Sequence, residues 1–190
     1  FTMKKFLGIV LVLFAVPAFA ADLNYNYLEL GYQRIDLDDD LANVDGDGFG
    51  IAGSFEVGDN WFVGASSAQA SFDFGIDLDQ LGIGLGYHTS ISNNTDFYGS
   101  GQWVRAEVSA DGFGSADEDG FGATIGLRGM VADKVELSGH VGYVDFGDGS
   151  DGTSVGAGLL YNLTDNVGLG IFVDVEEDVT SYGAGVRFYW

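Results

Sequence analysis

Apolar residues recur at every second position over most of this chain. Between positions 79 and 88, Leu81, Ile83, Leu85 and Tyr87 alternate with glycine and polar residues. Successive side chains of a β-strand point to opposite faces, so a period of two predicts strands with two different faces. One predicted face is apolar. The other consists largely of glycine, which suits a narrow interior better than a solvated surface.

Ten such segments follow one another, and the last of them spans residues 179–190. Three are less regular, namely 61–73, 97–109 and 135–145. An even number of strands is typical of single-chain bacterial membrane barrels. The pattern therefore predicts an all-β fold, a transmembrane antiparallel up-and-down β-barrel of ten strands. Eight strands remain the alternative if one of the less regular hairpins is absent.

The connections between these segments alternate in kind. Short ones carry tight-turn residues at 58–60, 92–94, 132–134 and 164–166, whereas 38–45, 73–77, 110–119, 146–152 and 177–178 are mostly longer and strongly acidic. Short inner turns and longer outer loops are typical of outer-membrane barrels. We therefore expect the acidic loops to face the cell exterior.

Aromatic residues cluster near the predicted strand ends, as in the two interfacial girdles of membrane barrels. The predicted inner girdle contains Tyr25, Tyr27, Trp61, Phe62, Tyr87, Phe97, Tyr161, Phe188 and Trp190. The predicted outer girdle contains Tyr32, Phe49, Trp103, Phe121, Tyr143 and Tyr182.

The first twenty residues have the features of a secretory signal peptide. Lys4 and Lys5 precede an apolar run, and Ala18-Phe19-Ala20 matches an A-x-A cleavage site. The uncharged run 6–21 contains Pro17 and is shorter than the roughly 18–20 residues needed to span a bilayer, which argues against a membrane anchor. We expect residues 1–20 to be a cleaved signal peptide and residues 21–190 to form the barrel.

The chain is strongly acidic, with 29 Asp and Glu residues and a formal net charge of −22. This charge excludes nucleic acid as a partner. The chain contains no cysteine, so disulfides and thiolate metal sites are also excluded.

Several short motifs resemble a family of small Gram-negative outer-membrane β-barrel proteins, within the porin-like superfamily. They are residues 23–29 (LNYNYLE) with Gly31-Tyr32, residues 84–88 (GLGYH), residues 142–147 (GYVDFG) and the aromatic C-terminus. The resemblance spans essentially the whole chain after residue 20. It implies an outer-membrane location and a surface or envelope role, without a catalytic assignment.

The C-terminus resembles the assembly signal of such barrels. Gly185, Phe188 and Trp190 match its pattern, whereas Gly183 stands where a polar residue is commoner. The resemblance implies recognition by the barrel-assembly machinery.

Ionisable residues on the predicted inward face form a candidate polar network in the lumen. They are Glu29, Glu56, Arg128, Glu136, His140 and Arg187, with His88 nearby. Glu29 and Arg187 lie on the first and last strands, which pair when a barrel closes. Buried charges must be paired or hydrated. The network is therefore either a salt-bridged plug that fixes closure or a constriction ring in a narrow pore.

The Asp-Gly segments are the only candidates for metal ions, and no other cofactor is indicated. Asp45, Asp47, Asp148 and Asp151 are closely spaced carboxylates of the kind that bind Ca²⁺ or Mg²⁺ loosely. Neither segment has the spacing of an EF-hand. The alternative is a solvated acidic surface.

No nucleophile and base can be placed together from the sequence, so we expect no enzymatic activity. The expected function is a structural or surface-interaction role in the outer membrane. A narrow pore for ions or small solutes is the first alternative, and a soluble ligand-binding barrel the second. The expected partners are outer-membrane lipid, lipopolysaccharide and the assembly machinery, with the protein expected as a monomer.

Overall fold

Ten antiparallel strands form one closed barrel. The computed structural model describes residues 23–39, 42–147 and 151–190, so the predicted signal peptide lies outside the described residues. The strands are β1 (Tyr27–Asp39), β2 (Ala42–Glu56), β3 (Trp61–Phe72), β4 (Ile76–Ser92), β5 (Thr95–Ala110), β6 (Gly114–Ala132), β7 (Val135–Asp145), β8 (Asp151–Thr164), β9 (Val167–Glu176) and β10 (Val179–Tyr189).

Each strand pairs with its neighbours in sequence, and β1 pairs with β10 to close the barrel. At this seam Leu28 lies opposite Phe188 and Glu29 opposite Arg187. The ten-strand prediction is confirmed, and the eight-strand alternative is wrong. Among the described residues no helix is long and apolar enough to cross a membrane.

The two ends of the barrel differ. The turn end carries the connections 57–60, 93–94, 133–134 and 165–166. The acidic end carries the connections 73–75, 111–113 and 177–178. The expectation of long acidic loops is wrong where the chain is described. Most of those acidic residues belong to strands, since β1 continues to Asp39 and β6 already begins at Gly114.

The acidic residues fit into strands because the positions of apolar and polar residues exchange faces near the acidic end. On β1, Leu28, Leu30 and Tyr32 point outward, whereas Ile35 and Leu37 point inward and are buried. The outward positions beyond Tyr32 are charged. On β5 the inward residues Val104, Ala106 and Val108 alternate with outward charged residues in the same way.

The outward face between the two ends is an apolar belt. Its side chains are well exposed, for example Phe49 at 66%, Phe121 at 72% and Ile171 at 60%. Aromatic residues border the belt, and the rings of Tyr32 and Phe49 lie 5.1 Å apart near the acidic end. Three residues predicted for the inner girdle, Tyr25, Tyr27 and Phe62, instead point into the lumen, where polar partners are available to the tyrosines.

Candidate functional site

The lumen near the turn end contains two pairs of arginine and glutamate. Nε of Arg187 donates a hydrogen bond to Oε2 of Glu29 at 2.7 Å, across the seam between β10 and β1. Nε of Arg128 donates to Oε1 of Glu136 at 3.2 Å, close to the turn that joins β6 and β7. Both arginines are buried. Pairing and hydrogen bonding offset the cost of burying these charges.

Two tyrosines cover the arginines. The Arg128 guanidinium lies 4.4 Å from the ring centroid of Tyr25, and that of Arg187 lies 4.1 Å from the ring centroid of Tyr27. Each such cation–π contact stabilises the folded protein by roughly 0.5–2 kcal/mol, with the larger values where water is excluded. Tyr25 precedes β1, so the segment before the first strand enters the lumen and covers the buried ion pairs.

His88 connects this tyrosine to two carboxylates. Its ring stacks on Tyr25 at 3.8 Å between centroids. Its Nε2 lies 3.2 Å from Glu56 Oε1, and its Nδ1 lies 3.4 Å from Asp96 Oδ2. Asp96 also accepts hydrogen bonds from Tyr25 at 3.3 Å and from Ser90 at 2.7 Å. The two carboxylates lie on opposite sides of the imidazole, so they cannot bind one metal ion together with it.

His140 forms a separate pair with Asp174, with Nε2 and Oδ1 2.8 Å apart. The two residues meet over Gly156, where a methyl group would lie 2.1 Å from the Asp174 oxygen. The six residues of the predicted network thus form two arginine–glutamate pairs, a Glu56–His88 contact and a His140–Asp174 contact. Asp96 and Asp174 were missed, although each has the same strand parity as inward neighbours such as Tyr98 and Glu176.

Large side chains fill the space that the glycines leave. Phe62 lies across Gly86, Tyr98 across Gly126 and Phe172 across Gly183. In each case the two residues are direct cross-strand partners. The glycine-rich interior is therefore packed rather than open, since glycine on one strand provides the room for a ring from the next.

The lumen near the acidic end is apolar. We call this set of buried residues the apolar cluster; it consists of Ile35, Leu37, Val44, Ala68, Ala70, Phe72, Leu78, Val104, Ala106, Val108, Val144, Phe146 and Val179. Members come from most of the strands and meet inside the barrel. Below the apolar cluster, two cavities of about 40 and 60 Å³ are lined mainly by glycine, serine, threonine and glutamine.

The candidate metal-binding aspartates do not form a cluster. Asp45 pairs with Arg34 at 2.6 Å, and Asp151 lies 3.5 Å from the Tyr143 hydroxyl. Asp47 is exposed, and Asp148 lies outside the described residues. Within the described ranges, no group of three or more His, Cys, Asp or Glu side chains could hold a metal ion.

The residues of the resembled assembly signal lie at the turn end of β10. Phe188 and Trp190 point outward, with 42% and 60% of their surfaces exposed, while Gly185 lies on the lumen face. A backbone hydrogen bond fixes Trp190 next to the segment before β1, since its N–H donates to the carbonyl of Asn26 at 3.4 Å.

Comparison with known proteins agrees with this architecture. Residues 6–188 match the family model of the outer membrane protein beta-barrel domain. A search of the curated proteins finds no match.

Among solved structures, the chain resembles an outer membrane channel from Pseudomonas putida F1, with a TM-score of 0.56 and 11% identity over 93% of this chain and 97% of that chain. It also resembles the translocator domain of the autotransporter NalP from Neisseria meningitidis, with a TM-score of 0.51 and 11% identity over 87% of this chain and 88% of that one. The KdgM porin in complex with disordered oligogalacturonate gives a TM-score of 0.51 and 9% identity over 86% of this chain and 99% of the porin. At these identities the likeness is one of fold alone.

Proposed function

The chain belongs to the outer membrane protein beta-barrel domain family, and on this premise we propose that it is a non-enzymatic barrel with a structural or surface-interaction role. The family implies the outer membrane of a Gram-negative bacterium. In this proposal residues 1–20 are a cleaved signal peptide, residues 21–190 form the barrel, and the acidic end faces the cell exterior.

The observation that carries the proposal is the obstruction of the lumen by side chains at two levels. At the turn-end mouth a vestibule of about 880 Å³, lined by residues such as Glu56, His88 and Asp96, stays open. At the acidic end the apolar cluster replaces the polar lining that a water-filled pore needs. At the turn end the Arg128–Glu136 and Arg187–Glu29 pairs and the tyrosine rings occupy the centre. Barrels of eight strands are filled by side chains, whereas those of sixteen or more leave a channel. With its lumen obstructed, this ten-stranded barrel resembles the eight-stranded barrels.

A non-enzymatic role is supported by the positions of the two histidines. His88 and His140 both point into the lumen, where His88 contacts two carboxylates and His140 contacts one. Among the described residues neither imidazole is hydrogen-bonded to a hydroxyl group that could act as a nucleophile.

The alternative is a narrow pore for ions or small solutes. A soluble ligand-binding barrel is less compatible with the outward apolar belt, since such a barrel directs its apolar side chains inward. We further propose that the belt contacts outer-membrane lipid and lipopolysaccharide, that the barrel is a monomer, and that the assembly machinery recognises Gly185, Phe188 and Trp190.

Conductance across a planar bilayer tests the proposal. The purified, folded barrel should produce no unitary current steps, because both closures lie in series along the lumen. A heat-modifiable shift on a gel confirms that the inserted protein is folded. Reproducible steps from folded protein would replace the structural role with the pore.

A further inference from the structure

One carboxylate in the lumen lies apart from the paired charges. Glu176, the last residue of β9, faces the interior and is only 4% exposed. Its Oε2 has no hydrogen-bond partner among the described residues. Its cross-strand partners are Ser154 on β8 and Val179 on β10, neither of which carries a charge. A buried carboxylate must be paired or hydrated, so Glu176 requires a proton, a cation or water in the lumen.

The protein supplies no cation at this position. Five basic residues follow residue 20, and each is accounted for elsewhere in the described structure: Arg128 and Arg187 pair near the turn end, Arg34 and Arg105 pair with outward aspartates, and Lys134 lies in a turn. The nearest charged groups along the chain are Asp174, which pairs with His140, and the exposed acids Glu177 and Asp178. These acids make a bare negative charge on Glu176 still less favourable.

Glu176 lines the cavity of about 40 Å³ below the apolar cluster. Apart from Tyr143, whose hydroxyl contacts Asp151, the other polar residues that line it can supply neutral oxygen ligands to a cation, namely Ser66, Gln80, Gln102, Thr124 and Ser154. Glycines let these oxygens approach. A methyl group on Gly82 would lie 2.8 Å from the Ser66 hydroxyl and 3.5 Å from the Gln102 amide oxygen. One on Gly142 would lie 2.7 Å from the Ser154 hydroxyl and 3.7 Å from that of Thr124.

We propose that this cavity is a binding site for one hard monovalent cation of the sodium class. The carboxylate of Glu176 supplies the compensating charge, and hydroxyl and amide oxygens supply the remaining ligands. Hard cations take oxygen ligands, and calcium sites are tuned by the number of charged ligands they contain. A single carboxylate among neutral oxygens therefore fits a monovalent ion better than a divalent one. The volume exceeds the ~10–15 Å³ that one water-sized guest needs.

The cation would join strands that are far apart in the sequence. Ser66 belongs to β3, Gln102 to β5, Ser154 to β8 and Glu176 to β9, so one ion would connect opposite walls of the barrel. The site would stabilise the part of the lumen beside the apolar cluster, where the cavity leaves these side chains without packing partners. This inference is independent of whether the barrel conducts.

Thermal unfolding of the folded barrel in detergent tests the proposal. Sodium chloride is exchanged for choline chloride at constant ionic strength and pH 8, because choline is too large for the cavity. Sodium should raise the unfolding midpoint along a one-site saturation curve. At about 100 times its dissociation constant it should increase the folding equilibrium constant about 100-fold.

Two variants and a control decide between the occupants of the site. Glu176→Gln should abolish the difference between sodium and choline, and should be more stable than the wild type in choline. Glu177→Gln, which removes an exposed neighbouring charge, should keep the full sodium response. Gly82→Ala retains the carboxylate but narrows the cavity, so it should weaken the sodium response and reduce the broadening of the ²³Na resonance by the protein.

Equal midpoints in sodium and choline for the wild type would overturn the proposal and leave Glu176 protonated or hydrated. An unchanged sodium response in Glu176→Gln would also overturn it, because the response would then arise elsewhere on the acidic surface.

Discussion

Glycine in this barrel has a packing role that depends on its cross-strand partner. A methyl group on Gly86 would lie 2.0 Å from the ring of Phe62, whereas one on Gly101 has no atom within 4 Å. The two glycines lie on neighbouring strands, β4 and β5, but Gly86 faces the lumen and Gly101 faces outward. Only the first should be sensitive to an added methyl group.

We therefore expect Gly86→Ala to destabilise the barrel by roughly 1–3 kcal/mol, the usual cost of overpacking a filled core. Gly101→Ala is the matched control and should change stability little. Equilibrium unfolding of both variants in urea, followed by tryptophan fluorescence, measures the difference. Equal stabilities would mean that the phenyl ring moves aside and that the lumen is less tightly packed than described.

The seam between the first and last strands contains one of the two buried arginine–glutamate pairs. Arg187→Ala would leave Glu29 in the lumen with no cation, and breaking a buried pair in this way costs roughly 3–5 kcal/mol. The same unfolding measurement should show this loss. The double variant Glu29→Gln/Arg187→Met removes both charges and should recover most of it. Failure of the double variant to recover would mean that Arg187 acts mainly through its contact with the Tyr27 ring.

The position of this pair could be predicted from the sequence, whereas its surroundings could not. Barrel closure joins the first strand to the last, so inward-facing Glu29 and Arg187 had to approach each other. Tyr25 and Tyr27 were assigned to the outward girdle because they lie near a strand end. Tyr27 lies two residues before Glu29 on β1, so the alternation already places it on the lumen face. Tyr25 precedes β1, and the alternation of the strand does not predict its direction.

At the scale of the strands, the pattern predicted their number better than their length. Each regular apolar alternation corresponds to a strand, including β9 and β10. The segments rich in aspartate were interpreted as loops because charge runs are usually solvated. Their alternation persists in the opposite phase, as Ile35 and Leu37 show on β1 and Leu78 on β4. Where a strand passes from an apolar surrounding into water, its outward side chains become polar. Its inward side chains must then be apolar if one face is to stay buried, so the hydrophobic pattern reverses.

The closing strand also carries the residues proposed for recognition during assembly. Deletion of Trp190 should reduce the amount of folded barrel in the outer membrane, because the outward aromatic residue at the end of β10 is lost. The heat-modifiable fraction of the membrane-associated protein measures assembly. Trp190→Phe retains an aromatic residue at this position and should assemble normally. Wild-type assembly of the deletion variant would contradict the proposed signal.

At the scale of the whole molecule, the lumen has two closures of different chemistry. The turn end is closed by ion pairs and rings, and the acidic end by the apolar cluster. The cavities between them are small and are lined mainly by glycine, serine, threonine and glutamine. The sequence indicated the first closure through its inward charges. The second was missed because its residues are scattered over most of the strands, and only the register brings them together.

Two closures in series predict how the barrel can be opened. Ions must pass both, so the current is limited by whichever closure remains. Tyr25→Ala/Phe62→Ala removes stacked rings at the turn end, including the ring that covers Arg128, but keeps both arginine–glutamate pairs. Phe72→Ala/Leu78→Ala/Phe146→Ala enlarges the acidic end. Either set alone should leave the bilayer current at baseline. The five substitutions combined should produce unitary steps, with heat modifiability showing that each variant is folded. Current steps from the turn-end variant alone would mean that water and ions already cross the apolar cluster, and that the turn end is the sole gate of a pore.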